Sequence, residues 1–85
     1  MEKRIGSILI LLREKSSAQI LNSTLSKFSN LIIGRQGIPV NEADYGIISL
    51  VLEGDTDEIG ALAGQLGRIK GISMKSVMLK LPVSD

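Results

Sequence analysis

The chain has 85 residues, ten basic and nine acidic side chains and a net charge of +1, and it contains no histidine, cysteine or tryptophan. A chain of this length forms one domain, residues 1–85. Because histidine and cysteine supply the usual proton shuttles, zinc ligands and disulfides, their absence predicts no catalytic set, no metal site and no cofactor.

The charge pattern also limits the classes of partner. Basic and acidic residues are mixed along the chain, so there is no basic stripe of the kind that neutralises nucleic-acid phosphates. The apolar run from Ile5 to Leu12 is short and is followed by Arg13 and Glu14. That run is unlike a signal peptide and far shorter than the ~18 apolar residues of a membrane span. We expect a cytoplasmic protein without direct nucleic-acid or membrane contacts.

The first strand and first helix are predicted from the N-terminal third of the chain. Arg4 to Arg13 is short, apolar and bounded by charges, which is typical of a strand buried on both faces. Ser16 to Gln19 has the S-x-x-Q spacing of a capping box, which predicts a helix start. An apolar stripe at helical spacing follows at Ala18, Leu21, Leu25 and Phe28.

Two further strands are predicted in the middle of the chain. Leu31 to Gly37 is the second strand, and Gly37 to Asp44 is predicted as a loop because Pro39 cannot donate to a sheet except at an edge. Tyr45 to Glu53 is a third strand that is apolar on both faces.

The last third of the chain predicts a second helix and a fourth strand. Asp55 is the expected N-cap, with Glu58 three residues later, and Gly71 is the expected C-terminal glycine. Ile72 to Leu81 is the fourth strand. Three glycines lie along one side of this helix, and we predict that they allow close packing against the first helix, with contact to a partner as the alternative: Gly60, Gly64 and Gly67.

The resulting order, βαββαβ, predicts an α+β, ferredoxin-like two-layer sandwich. Right-handed crossovers place both helices on one face of a four-stranded antiparallel sheet. The first and third strands, which are the most apolar, then lie in the centre, and the second and fourth lie at the edges.

When helices cover one face of a sheet, the strand residues that point to the other face are expected to be polar. In this sequence, many of the strand residues on both faces are apolar. We predict that the uncovered face mediates self-association into a homodimer or homotetramer. The alternatives are a face that stays in contact with water and an apolar ligand pocket. The residues predicted for this face are Ile8, Ile10, Ile47, Val51, Met74 and Met78.

The best polar candidate for a binding site is Arg35 with Gly37, because an arginine beside accessible backbone N–H groups can bind a carboxylate or phosphate. The alternative is a solvated arginine that pairs with Glu42 or Asp44.

Several motifs together resemble the iron-only hydrogenase system regulators, over nearly the whole chain. The motifs are Arg35-x-Gly37-x-Pro39-Val40, the Ile47–Leu52 strand, Asp57-x-Ile59-Gly60-Ala61-Leu62, Gly64-x-Leu66-Gly67 and Gly71-Ile72-x-x-Lys75-x-Val77. The resemblance implies an ACT-like domain, akin to the C-terminal regulatory domain of the nickel-responsive repressor. Those nickel-binding relatives use histidine and cysteine ligands, which this chain lacks.

Two functions follow as expectations. ACT-like domains pair with one another and bind small metabolites where they meet, so the resemblance implies a non-enzymatic regulatory, ligand-sensing and oligomerisation domain. The alternative is a small ferredoxin-like enzyme such as an acyl-phosphate hydrolase, which needs an anion-binding loop between the first strand and the first helix.

Overall fold

The computed structural model describes residues 3–40 and 45–81. In chain order the elements are β1 (Arg4–Leu12), a short 3-10 helix (Lys15–Ser17), α1 (Ala18–Lys27), β2 (Ile32–Val40), β3 (Tyr45–Gly54), α2 (Thr56–Gly67) and β4 (Ile72–Lys80). The four strands form one antiparallel sheet in the order β2-β3-β1-β4. This is the predicted α+β, ferredoxin-like βαββαβ fold, with β1 and β3 in the centre.

The core lies between the helices and one face of the sheet. Ile8 and Ile10 of β1 and Leu50 and Leu52 of β3 are fully buried. They pack with apolar residues of both helices, which lie on their inner sides at helical spacing: Leu21 and Leu25 of α1, and Ile59, Leu62 and Leu66 of α2. Both helices therefore cover the same face of the sheet.

The helix starts differ from one another. In α2, Asp55 accepts a hydrogen bond from the Glu58 N–H (2.7 Å) and the Glu58 carboxylate accepts one from the Asp55 N–H (3.1 Å), so the predicted cap is confirmed. The helix predicted after Ser16 does form, but no side chain caps it. The Ser17 hydroxyl instead donates to the Lys70 carbonyl (2.5 Å), a contact 53 residues away in sequence.

Two predicted boundaries move. β2 continues to Val40 rather than ending at Gly37, because β2 is an edge strand in which Pro39 is tolerated. α2 ends at Gly67, and Gly71 lies beyond a short turn with φ of +90°. The Gly71 carbonyl there accepts the N–H groups of Arg13 (2.8 Å) and Glu14 (3.2 Å), which joins the end of β1 to the start of β4.

The predicted packing of the α2 glycines against α1 is wrong. Gly60, Gly64 and Gly67 are exposed, and a Cβ added at any of them meets no atom within 4 Å in the described structure. The α2 side that borders the clefts towards α1 carries Ala61 and Gln65 instead.

Candidate functional site: the helix-free face of the sheet

The face of the sheet opposite the helices, here called the open face, follows from the strand register. Side chains alternate between the faces along a strand, and paired residues on neighbouring strands share a face. Since the even-numbered residues of β1 and β3 point to the helices, the odd-numbered ones form the open face. Its members are Ile5, Ser7, Leu9 and Leu11 of β1, Tyr45, Ile47, Ser49, Val51 and Glu53 of β3, Ser73, Lys75, Val77 and Leu79 of β4, and Gln36 and Ile38 of β2.

The open face is mainly apolar and largely uncovered. Leu9, Val77 and Leu79 are 56%, 64% and 67% exposed, and Val51, Ile38 and Tyr45 are exposed as well. Ile5, Leu11 and Ile47 are half-buried between them. Complete burial of one such side chain is worth about 1.5–3 kcal/mol relative to exposure. An apolar patch of this size on a small domain is typical of an interaction surface.

The predicted composition of this face is wrong for four of its six residues. Ile8 and Ile10 are fully buried under the helices, and Met74 packs against the same core. Met78 also lies on the helix side, although it is exposed. The physical reason is the period of two: these residues share a face with the core positions of β1. Only Ile47 and Val51 of the predicted set lie on the open face.

The sequence did contain a signal for the correct face. On β1 and β3 the polar side chains beyond Arg4 occur only at odd-numbered positions, Ser7, Ser49 and Glu53, while the even-numbered positions carry apolar residues or glycine. A serine or glutamate is tolerated where solvent is near and is costly under a helix. This alternation would have assigned Leu9 to the open face, and the pairing of β4 with β1 then adds Val77 and Leu79.

Arg35 and Gly37 lie on the helix side of β2, opposite Leu50 and Ile48 of β3. The Arg35 Nη2 group donates to the Asn22 Oδ1 atom of α1 (2.8 Å), which holds the guanidinium against the helix. Gly37 borders an apolar hollow of about 330 Å³ whose lining does not include Arg35. The alternative partners predicted for Arg35, Glu42 and Asp44, lie outside the described residues.

In the loop between β1 and α1, three backbone N–H groups that an anion could use are engaged within the fold. The N–H groups of Arg13 and Glu14 both donate to the Gly71 carbonyl, and the Ser17 N–H donates to the Glu14 carbonyl (3.0 Å). These backbone donors are engaged within the fold, so the structure gives no support to the acyl-phosphate hydrolase alternative. Within residues 3–40 and 45–81, no three His, Cys, Asp or Glu side chains are grouped as metal ligands.

The helix layer carries two shallow clefts that border Lys27. One, of about 410 Å³, lies between the end of α1 and the start of α2 and is lined by Lys27, Phe28, Asp57 and their neighbours. The other, of about 330 Å³, runs between the helices past Ile20 and Arg68. Of the helices in the described ranges, none is long and apolar enough to cross a membrane.

Comparison with known proteins assigns the family. Residues 4–76 match the family model described as "TM1266-like: Iron-only hydrogenase system regulator, putative". The structure of the uncharacterized protein TM1266 from Thermotoga maritima superposes with a TM-score of 0.87 at 42% sequence identity, covering 93% of this chain and 100% of that one. No curated protein shows significant similarity to the chain.

Two more distant structures share the fold alone. The C-terminal domain of the MgtC protein from Mycobacterium tuberculosis gives a TM-score of 0.68 at 9% identity, over 96% of this chain and 94% of that one. A dimeric ferredoxin-like protein from an uncultured marine organism gives 0.51 at 9% identity, over the full length of both chains. The family match and the Thermotoga maritima relative together decide the assignment: the chain belongs to the TM1266-like family, described as "Iron-only hydrogenase system regulator, putative".

Proposed function

We propose that this chain is a non-enzymatic regulatory domain that acts as a self-associated assembly, in which the open face of one copy packs against the open face of another. The observation that carries this proposal is the apolar character of that face. The gain from covering it is of order ten kcal/mol before the costs of association, so burial of this face favours packing against a second copy.

Light scattering on the wild-type protein tests the proposal. We expect a mass that is a multiple of 9.1 kDa and that falls towards the monomer only on strong dilution, because association is concentration-dependent. A mass of 9.1 kDa at every concentration would refute self-association.

We further propose that the domain senses a small anionic metabolite through Arg35. This side chain is exposed and its bond to Asn22 uses one of five N–H donors, so the remaining donors are available to a carboxylate or phosphate. A panel of carboxylate and phosphate metabolites should contain at least one that raises the Tm of the wild type. Arg35→Gln should abolish that increase, and Lys27→Gln, a change of the same charge elsewhere on the helix layer, should preserve it. An increase that persists in Arg35→Gln would exclude this residue.

A further inference from the structure

We propose that the outer edge of β4 is a second self-association surface, at which β4 pairs antiparallel with β4 of another copy of this chain. The inference rests on the self-association proposed above and adds a contact that the open face does not provide. Edge pairing joins two sheets side by side and leaves both open faces uncovered. Two such edge-paired dimers that stack through their open faces form an assembly of four chains.

The two edges of the sheet differ in how they resist pairing. β2 has a register shift between Ile32 and Gly34 and carries Pro39, which has no N–H to donate. Bulges and prolines are the usual means by which edge strands avoid each other. β4 pairs with β1 in unbroken register from Ile72 to Lys80 and contains no proline. In the described part of the chain no strand pairs with its outer edge.

The second half of β4 is also uncovered on both faces. Val77 and Leu79 are exposed on the open face, and Met78, which points to the helix side, is 45% exposed. If the helices of the same chain covered this edge strand, Met78 would be buried beneath them. A neighbouring strand covers parts of both faces at once, whereas a partner stacked on the open face does not reach Met78.

The two lysines of this strand do not oppose pairing. Lys75 lies on the open face and Lys80 on the helix side, because side chains alternate between the two faces along the strand and the two residues are five positions apart. In a continuous sheet, residues directly opposite each other share a face, so Lys75 of one copy cannot lie opposite Lys80 of the next. A pairing centred on Val77 places Lys75 opposite Leu79 and Lys80 opposite Met74, without like charges in contact.

Cysteine cross-linking tests this arrangement, because the chain has no cysteine of its own. The double variant Ser76→Cys/Met78→Cys places thiols on the helix side of β4, which open-face stacking does not approach. Directly opposite residues of paired strands have Cα atoms about 4.5–5.5 Å apart, a separation that suits a disulfide. The control, Arg35→Cys/Gly37→Cys, places two thiols on the helix side of β2.

Under mild oxidation we expect the β4 variant to convert completely to a covalent dimer and the β2 variant to remain monomeric on a denaturing gel. Cross-linking of β2 in place of β4 would overturn the proposal. If neither variant cross-links while the wild type scatters as an oligomer, the edge contact is refuted and the open-face contact stands. A monomeric wild type with no cross-linking would refute both.

Discussion

Replacement of Gly71 by alanine should destabilise the fold more than the same replacement at any other glycine of the described structure. Gly71 has φ of +90°, and an added Cβ would overlap the Glu14 carboxylate and approach the Ser17 Oγ to 2.6 Å. The backbone conformation costs about 1–2 kcal/mol for an L-residue, and loss of the Ser17–Lys70 hydrogen bond adds about 0.5–1.5 kcal/mol. We expect a loss of about 1.5–3.5 kcal/mol.

Thermal unfolding measures this prediction. A domain of this size loses about 4–8 °C of Tm for each kcal/mol, so Gly71→Ala should melt about 6–28 °C below the wild type at equal protein concentration. The matched control is Gly64→Ala, which places the same methyl in open space on α2. That change should raise stability by about 0.5–1 kcal/mol, because alanine is the better helix former. Equal Tm values for the two variants would show that Gly71 is not a constrained position.

Replacement of Leu9 by glutamate should convert the assembly to separate protomers or edge-paired dimers, with loss of the open-face contact. Leu9 lies in the middle of β1 on the open face and is already 56% exposed in the protomer, so the fold should tolerate a charge there. A carboxylate buried against an apolar partner surface costs several kcal/mol, and each 1.4 kcal/mol weakens association about tenfold. We expect association to weaken by at least about two orders of magnitude.

The control for this variant is Ile20→Glu. Ile20 is 54% exposed, which matches Leu9, but it lies on α1 in the helix layer. Light scattering should give the wild-type mass for Ile20→Glu and a lower mass for Leu9→Glu, with unchanged circular dichroism for both. Leu9→Glu at the wild-type mass would contradict the open-face contact. Leu79→Glu, at the 67% exposed position of β4, gives an independent version of the test if Leu9→Glu folds poorly.

Local sequence patterns were sufficient for the fold. The capping box of α2, the apolar stripe of α1 that ends in Phe28, and the apolar runs of β1 and β3 are all set by residues close together in sequence. Their order then permits few arrangements, because crossovers are right-handed and sequential strands tend to pair. The central position of β1 and β3 followed from the same reasoning.

The features that sequence analysis got wrong depend on contacts between distant residues. Ser17 occupies the N-cap position of α1, but its hydroxyl binds the Lys70 carbonyl, and no local spacing encodes that partner. The faces of β1 were exchanged because leucine and isoleucine occupy both, and the local signal within this strand is limited to one serine, Ser7. The side on which α2 packs decides between them, and it is fixed by the approach of Ile59 to Gly6, where an added Cβ would lie 3.3 Å from the Ile59 Cδ1 atom.

The central claim is that the open face is covered in solution, and thiol labelling of two single-cysteine variants tests it most directly. Leu9→Cys and Ile20→Cys each carry the only thiol of the chain, at sites of nearly equal exposure in the protomer. At a concentration where the protein is assembled, we predict that maleimide labels the Ile20→Cys variant rapidly and the Leu9→Cys variant slowly, and that dilution to the monomer equalises the two rates. Equal rates at the high concentration would contradict the account, because they would show that position 9 is in contact with water.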